Sequence, residues 1–177
     1  KVIPCYYKKD YPEWSDRGDG PGAPVAIHQP NSPVIATGKR DGSKIRLPNG
    51  NYLEETASYF VMVETATGGF TPALITMKST QLNVSKKWNS MMKTTQFPDG
   101  KGGFATPPMF GVVYNLASTL QKNDKGSWYG WVVTMDRILG QEDKSLYLGA
   151  KDFGANVSKG AVQTKSDVEE KSDSTPY

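Results

Sequence analysis

The chain has one cysteine and one histidine among its 177 residues. A single thiol, Cys5, can close no internal disulfide, which suits a reducing, aqueous compartment. His28 stands beside Gln29 and Pro30 with no H-x-E, H-x3-H or cysteine partner. The sequence therefore offers neither a zinc ligand set nor a Ser-His-Asp triad, and His28 reads as a surface residue. No window approaches the ~18 continuous apolar residues of a membrane helix, so no membrane partner is expected. Paired carboxylates such as Glu54-Glu55 and Glu169-Glu170 are scarce, and no D-x-D set falls on an expected strand. The glycines of "GDGPG" and "DGKGG" follow no strand and open no capped helix, so they read as turns and not as phosphate loops. These absences point away from an enzyme and from any cofactor.

What is present is turn residues and rings. With 18 Gly, 12 Pro and 11% aromatics, the composition favours many turns, few long helices and one β-rich core. Charge is uneven. The net charge is +3, yet from Gly160 onward Lys165 and Lys171 face Asp167, Glu169, Glu170 and Asp173, so the tail carries −2 and residues 1–159 carry +5. A basic body with an acidic tail suits a polyanion-binding domain with a solvated appendage.

Along the chain, residues 1–32 read as an irregular N-terminal arm, rich in Pro, Gly and charge. A single domain is expected over 33–159, and residues 160–177, with little to bury, read as a disordered, mildly acidic tail. "PVIATGKRDGSKIRLPNG" predicts a hairpin about Asp41-Gly42, and residues 57–79 supply two further β-branched runs across Thr65 to Thr71. Next comes "STQLNVSKKWNSMMK". Val84, Trp88, Met91 and Met92 recur at spacings of four, seven and eight, which predicts an amphipathic helix capped by Ser79 or Thr80, with Trp88 towards the sheet. Residues 94–108 read as a long Pro/Gly loop, residues 109–139 as a long hairpin turning at 123–126, and Leu146, Ala150, Phe153 and Val157 as the stripe of a C-terminal helix. Three strands, a helix and two strands is the connectivity of an OB barrel. The expected fold is mainly β: an OB-fold-like small barrel with one internal helix and a C-terminal helix.

Basic and aromatic residues alternate along this plan. Lys78, Lys86, Lys87 and Trp88 surround the first helix, Lys93, Lys101 and Phe104 lie in and before the loop, and Trp128, Tyr129 and Arg137 lie in the last strand. Single-stranded nucleic acid calls for that combination, because cations follow phosphates while rings stack on unpaired bases.

"PALITMKSTQLNVSKKWNSMM", the Pro/Gly loop, "TPPMFGVVYNL", "NDKGSWYGWVV" and the C-terminal helix together resemble a group of tailed-bacteriophage proteins described as single-stranded DNA-binding or of unknown function. The resemblance spans roughly residues 45–160 and is one of pattern, with no catalytic signature. It implies an OB-fold that coats single-stranded DNA during replication or recombination in the cytoplasm of the infected bacterial host. It also implies an acidic tail that recruits replication proteins, although this tail ends Thr175-Pro176-Tyr177 and lacks a run of Asp before an aromatic residue. The expected partners are single-stranded DNA and, through the tail, replication proteins, and the plan admits a homodimer. The alternative is a β-rich virion structural or host-interaction protein that does not bind nucleic acid.

Overall fold

Runs of β-branched and aromatic residues become strands, and the two amphipathic stretches become helices, in a computed structural model that describes residues 1–16, 23–124 and 126–162. In chain order the elements are β1 (Val2–Trp14), β2 (Ala26–His28), α1 (Pro33–Thr37), β3 (Lys39–Asp41), β4 (Lys44–Arg46), β5 (Tyr52–Glu54), β6 (Thr56–Glu64) and β7 (Phe70–Lys78). Then follow α2 (Leu82–Thr94), β8 (Phe97–Pro98), β9 (Phe104–Ala105), β10 (Val112–Asn123), β11 (Gly126–Ile138) and α3 (Lys144–Ser158).

Strand β1 is the hub. It pairs antiparallel with β6 from Val2 to Asp10, meets β10 where Val2 opposes Tyr114, and carries β2 and β5 on its far half. Strands β6 and β7 pair along their whole length, as do β10 and β11. Without the insertion between β1 and β6, the order is three strands, α2, then two strands, with the first strand joined to the second and the fourth. The result is a mainly β protein, 46% strand, whose sheet curls into a half-barrel of OB-like form.

Alternation of side chains about the curled sheet makes two cores. Val2, Tyr59, Val61, Met77, Val112 and Tyr114 point inward, where α2 lies across them and seats Trp88 and Met92. Ile3, Cys5 and Val113 point outward beneath Ala150 of α3, flanked by Leu146 and Phe153. A smaller cluster of Tyr11, Ile45, Leu47 and Leu53 holds the insertion to the far half of β1. Within the barrel the Tyr59 hydroxyl lies 3.0 Å from the Ser85 carbonyl and 2.8 Å from Ser85 Oγ, tying β6 to α2. Tyr59→Phe should therefore lower stability by about 1–2 kcal/mol, because it strands the buried Ser85 hydroxyl. Urea titration should show an earlier midpoint at an unchanged slope.

Several expectations are corrected. The segment read as an irregular arm contains β1, so the barrel begins at Val2. Its prolines and charges concealed it. Pro4 stands beside a register shift at Cys5, where the ladder is already interrupted, and Lys9 is neutralised by Glu55 at 3.0 Å. The Asp41-Gly42 turn forms as expected, with Gly42 at φ 59°, but residues 33–37 make α1 instead of a strand, because Pro33 suits a first helical turn. Neither Ser79 nor Thr80 caps α2 through its side chain; a 3-10 turn over Ser79–Gln81 leads in. The long loop carries a short β8–β9 ribbon. From residue 163 the expected tail lies outside the described residues.

Candidate nucleic-acid interface

The residues singled out in the sequence are spread over several elements. Trp88 is 0% exposed, stacked on Tyr59 at 4.3 Å between ring centroids and edge-on to Tyr114 at 5.6 Å, so it can touch no ligand and is corrected to a core residue. It anchors the helix whose outer side carries Lys86, Lys87 and Lys93, all exposed and without an ion pair among the described residues. Lys101 sits in the turn between β8 and β9, and the neighbouring Phe104 is 71% exposed. Tyr129 is 72% exposed on the β10–β11 hairpin, opposite the exposed Leu120. Trp128 is half-buried, its indole N–H enclosed and unbonded. Arg137 is held in a two-pronged pair by Asp143, and that guanidinium pulls the Asp143 carboxyl down to about 2. These groups do not line one shared trough.

Lys78 alone of the ten opens onto a groove of about 420 Å³ on the outer face of β1, β6 and β7, while Lys93 borders a separate depression of about 510 Å³ between α2 and Thr106, Pro107 and Met109. Alternate residues of β1 form the floor of the groove: Tyr6, Lys8, Asp10, Pro12 and Trp14. Ser58 and Phe60 of β6 and Leu74, Thr76 and Lys78 of β7 continue it sideways in register. Pro24 and Ile27 from the insertion make one wall, while Val157, Gly160 and Val162 at the end of α3 close the other side. From Tyr6 to Trp14 the floor runs eight residue-to-residue steps, roughly 26 Å at about 3.3 Å each.

The chemistry of the floor is mixed. Tyr6 packs against Phe60 at 6.1 Å, and the Lys78 ammonium stands 6.0 Å from the centre of the Trp14 ring. Both lysines are held by acids: Lys8 Nζ lies 2.9 Å from Asp10 Oδ2, and Lys78 Nζ lies 3.0 Å from Glu54 Oε2. Asp10 also accepts from Gln29 Nε2 at 3.2 Å.

Behind the wall, Glu13 ties the insertion together. Its Oε1 accepts from Asn51 at 2.6 Å and Asn49 at 3.1 Å, and its Oε2 lies 2.7 Å from His28 Nε2. Those hydrogen bonds, Asn51's first, hold the Glu13 carboxyl below its ordinary range. His28 is thus a half-buried tie of β2 to β1, not the surface residue its sequence neighbours suggest. Among the described residues no group of three or more His, Cys, Asp or Glu is placed to hold a metal ion, and no helix is long and apolar enough to cross a membrane.

Tyr6, Lys8 and Trp14 were missed because they lie in the segment read as irregular. The available signal was the period-two alternation of Tyr6, Lys8, Asp10, Pro12 and Trp14, a strand pattern of mixed polarity.

No curated protein and no solved structure matches the chain. The family model described as Pam3 phage gp34-like protein matches residues 1–163, which takes in every element from β1 to α3. That span includes the hub strand and both walls of the groove, and the chain therefore belongs to the Pam3 phage gp34-like protein family, a phage-related group.

Proposed function

We propose that this phage-family protein binds single-stranded DNA in the groove on β1, β6 and β7, and acts in phage DNA replication or recombination in the cytoplasm of the infected host. One observation carries the reading. The groove is floored by the first barrel strand, continues onto the outer face of the second and third, and is walled by the connection after the first, so it takes in the strand 2–3 face and first connection where OB barrels take oligonucleotides. Half-buried Tyr6 and Trp14 offer ring faces for stacking, worth about 1–3 kcal/mol per base, and Lys8 and Lys78 offer ammonium groups for phosphate. A floor of this length suits a short footprint, towards the low end of the ~4–16 nucleotides taken per OB fold.

Titration with a mixed-sequence single-stranded 20-mer should quench tryptophan fluorescence through Trp14, and a duplex of the same sequence should bind more weakly. Two groove lysines, each already paired with an acid, predict a salt dependence shallower than the slope near −1.4 that two free lysines would give at about −0.7 per neutralised phosphate. Unchanged fluorescence with no binding at low salt would refute the reading.

The exposed Leu120, Tyr129 and Phe104 favour a second reading, a virion structural or host-interaction protein that presents these side chains to a protein partner. Recovery of the chain in purified particles, together with indifference to oligonucleotides, would support it.

A further inference from the structure

Resting on the single-stranded DNA reading, we infer that the groove reads base edges and selects bases that carry an exocyclic amine, cytosine above all, over uracil or thymine. The floor holds two ammonium groups, Lys8 and Lys78, and two carboxylates, Asp10 and Glu54, each lysine within 3.0 Å of its acid. Their fields largely cancel at the distance of a passing phosphate, so the groove has little long-range pull on a polyanion. Short-range hydrogen bonding is what remains.

The two acids are poorly exposed, with side-chain accessibilities of 6% for Asp10 and 13% for Glu54, yet both line the groove. An ionised carboxylate has about four acceptor positions and no donor. Among the described residues Glu54 spends one oxygen on Lys78, and no hydrogen bond reaches its Oε1. A base stacked on Trp14 or Tyr6 brings its edge over this floor. The amine at C4 of cytosine donates to a carboxylate, whereas uracil or thymine places at C4 a carbonyl oxygen that faces like charge. Cytosine and uracil, which differ along that edge, are therefore separated by an acceptor already in place.

The test compares oligo-dC with oligo-dU of equal length, which differ at C4 and in the N3 proton, at pH 8 where cytosine is neutral. Wild-type protein should bind oligo-dC at least about fivefold more tightly, the lower bound for a good base contact. Glu54→Ala removes the acceptor and frees Lys78. The preference should fall towards unity while the salt slope for both oligomers steepens by about 0.7. A purely structural effect of the substitution would weaken both oligomers together and leave the slope alone, and that result overturns the inference. Asp10→Asn, which keeps volume and the Gln29 contact, serves as the second variant and should also reduce the ratio. Equal binding of oligo-dC and oligo-dU by the wild type overturns the preference while leaving single-strand binding intact. Failure of every oligomer, including the mixed 20-mer, removes the parent reading and this one with it.

Discussion

Trp88→Ala should destabilise the protein by about 3–5 kcal/mol and lower its melting temperature by roughly 6–20 °C. The indole is wholly enclosed, stacked on Tyr59, edge-on to Tyr114 and surrounded by Met77, Met92 and Val112 of the barrel interior. Truncation loses that contact and leaves a cavity between α2 and the sheet, which well-packed interiors do not readily close. The Trp88 indole N–H is buried without a partner, so its removal relieves an unsatisfied donor. Trp88→Phe, which keeps a ring, should therefore cost far less than Trp88→Ala. Lys86→Ala and Lys87→Ala, at exposed positions with no ion pair among the described residues, should each change stability by no more than about 0.5 kcal/mol. Calorimetry of the four variants distinguishes a core residue from a surface one. A change below about 1 kcal/mol for Trp88→Ala would contradict the assigned burial.

Gly154→Ala and Gly149→Ala should act in opposite directions, although both glycines lie in α3. A Cβ on Gly149 meets nothing within 4 Å, so alanine there should raise stability by up to about 1 kcal/mol through its better helix propensity. A Cβ on Gly154 would stand 2.3 Å from the Cys5 carbonyl oxygen and 3.0 Å from its carbon. Those are backbone atoms, held between the β6-paired Pro4 and Tyr6, and cannot swing aside as a side chain would. The helix must lift instead, parting Ala150, Leu146 and Phe153 from Ile3, Cys5 and Val113. A net loss of about 1–3 kcal/mol is expected, in the range for overpacked interiors. Because Val157 and Gly160 line the groove, the same displacement should also weaken oligonucleotide binding. Urea midpoints that rise for both variants would show that α3 does not pack as closely as described.

Much of the barrel was legible in the sequence, and the reason is locality. The β6–β7 and β10–β11 hairpins announce themselves by β-branched runs on either side of turn residues. The α2 stripe of Val84, Trp88, Met91 and Met92 is visible because helical period brings those side chains to one face whatever lies opposite. The site was much less legible. Arg137 looks like a free cation until Asp143 folds against it, and Lys78 looks free until Glu54, distant in sequence, arrives on the neighbouring part of the sheet. His28 appears isolated for the same reason, since Glu13 reaches it only through the pairing of β1 with β2.

The sequence by itself determined a mainly β chain with an internal and a terminal amphipathic helix and an excess of basic groups in its body, because period, turn chemistry and composition are properties of neighbouring residues. Only the tertiary structure decided that the first strand is the hub of the sheet, that Trp88 is enclosed, and that Tyr6, Lys8, Trp14, Glu54 and Lys78 meet along one groove. Those outcomes depend on strand register and on which charges are brought within 3–4 Å of one another, and electrostatic partners of that kind are chosen by pairing across the sheet, not by proximity along the chain.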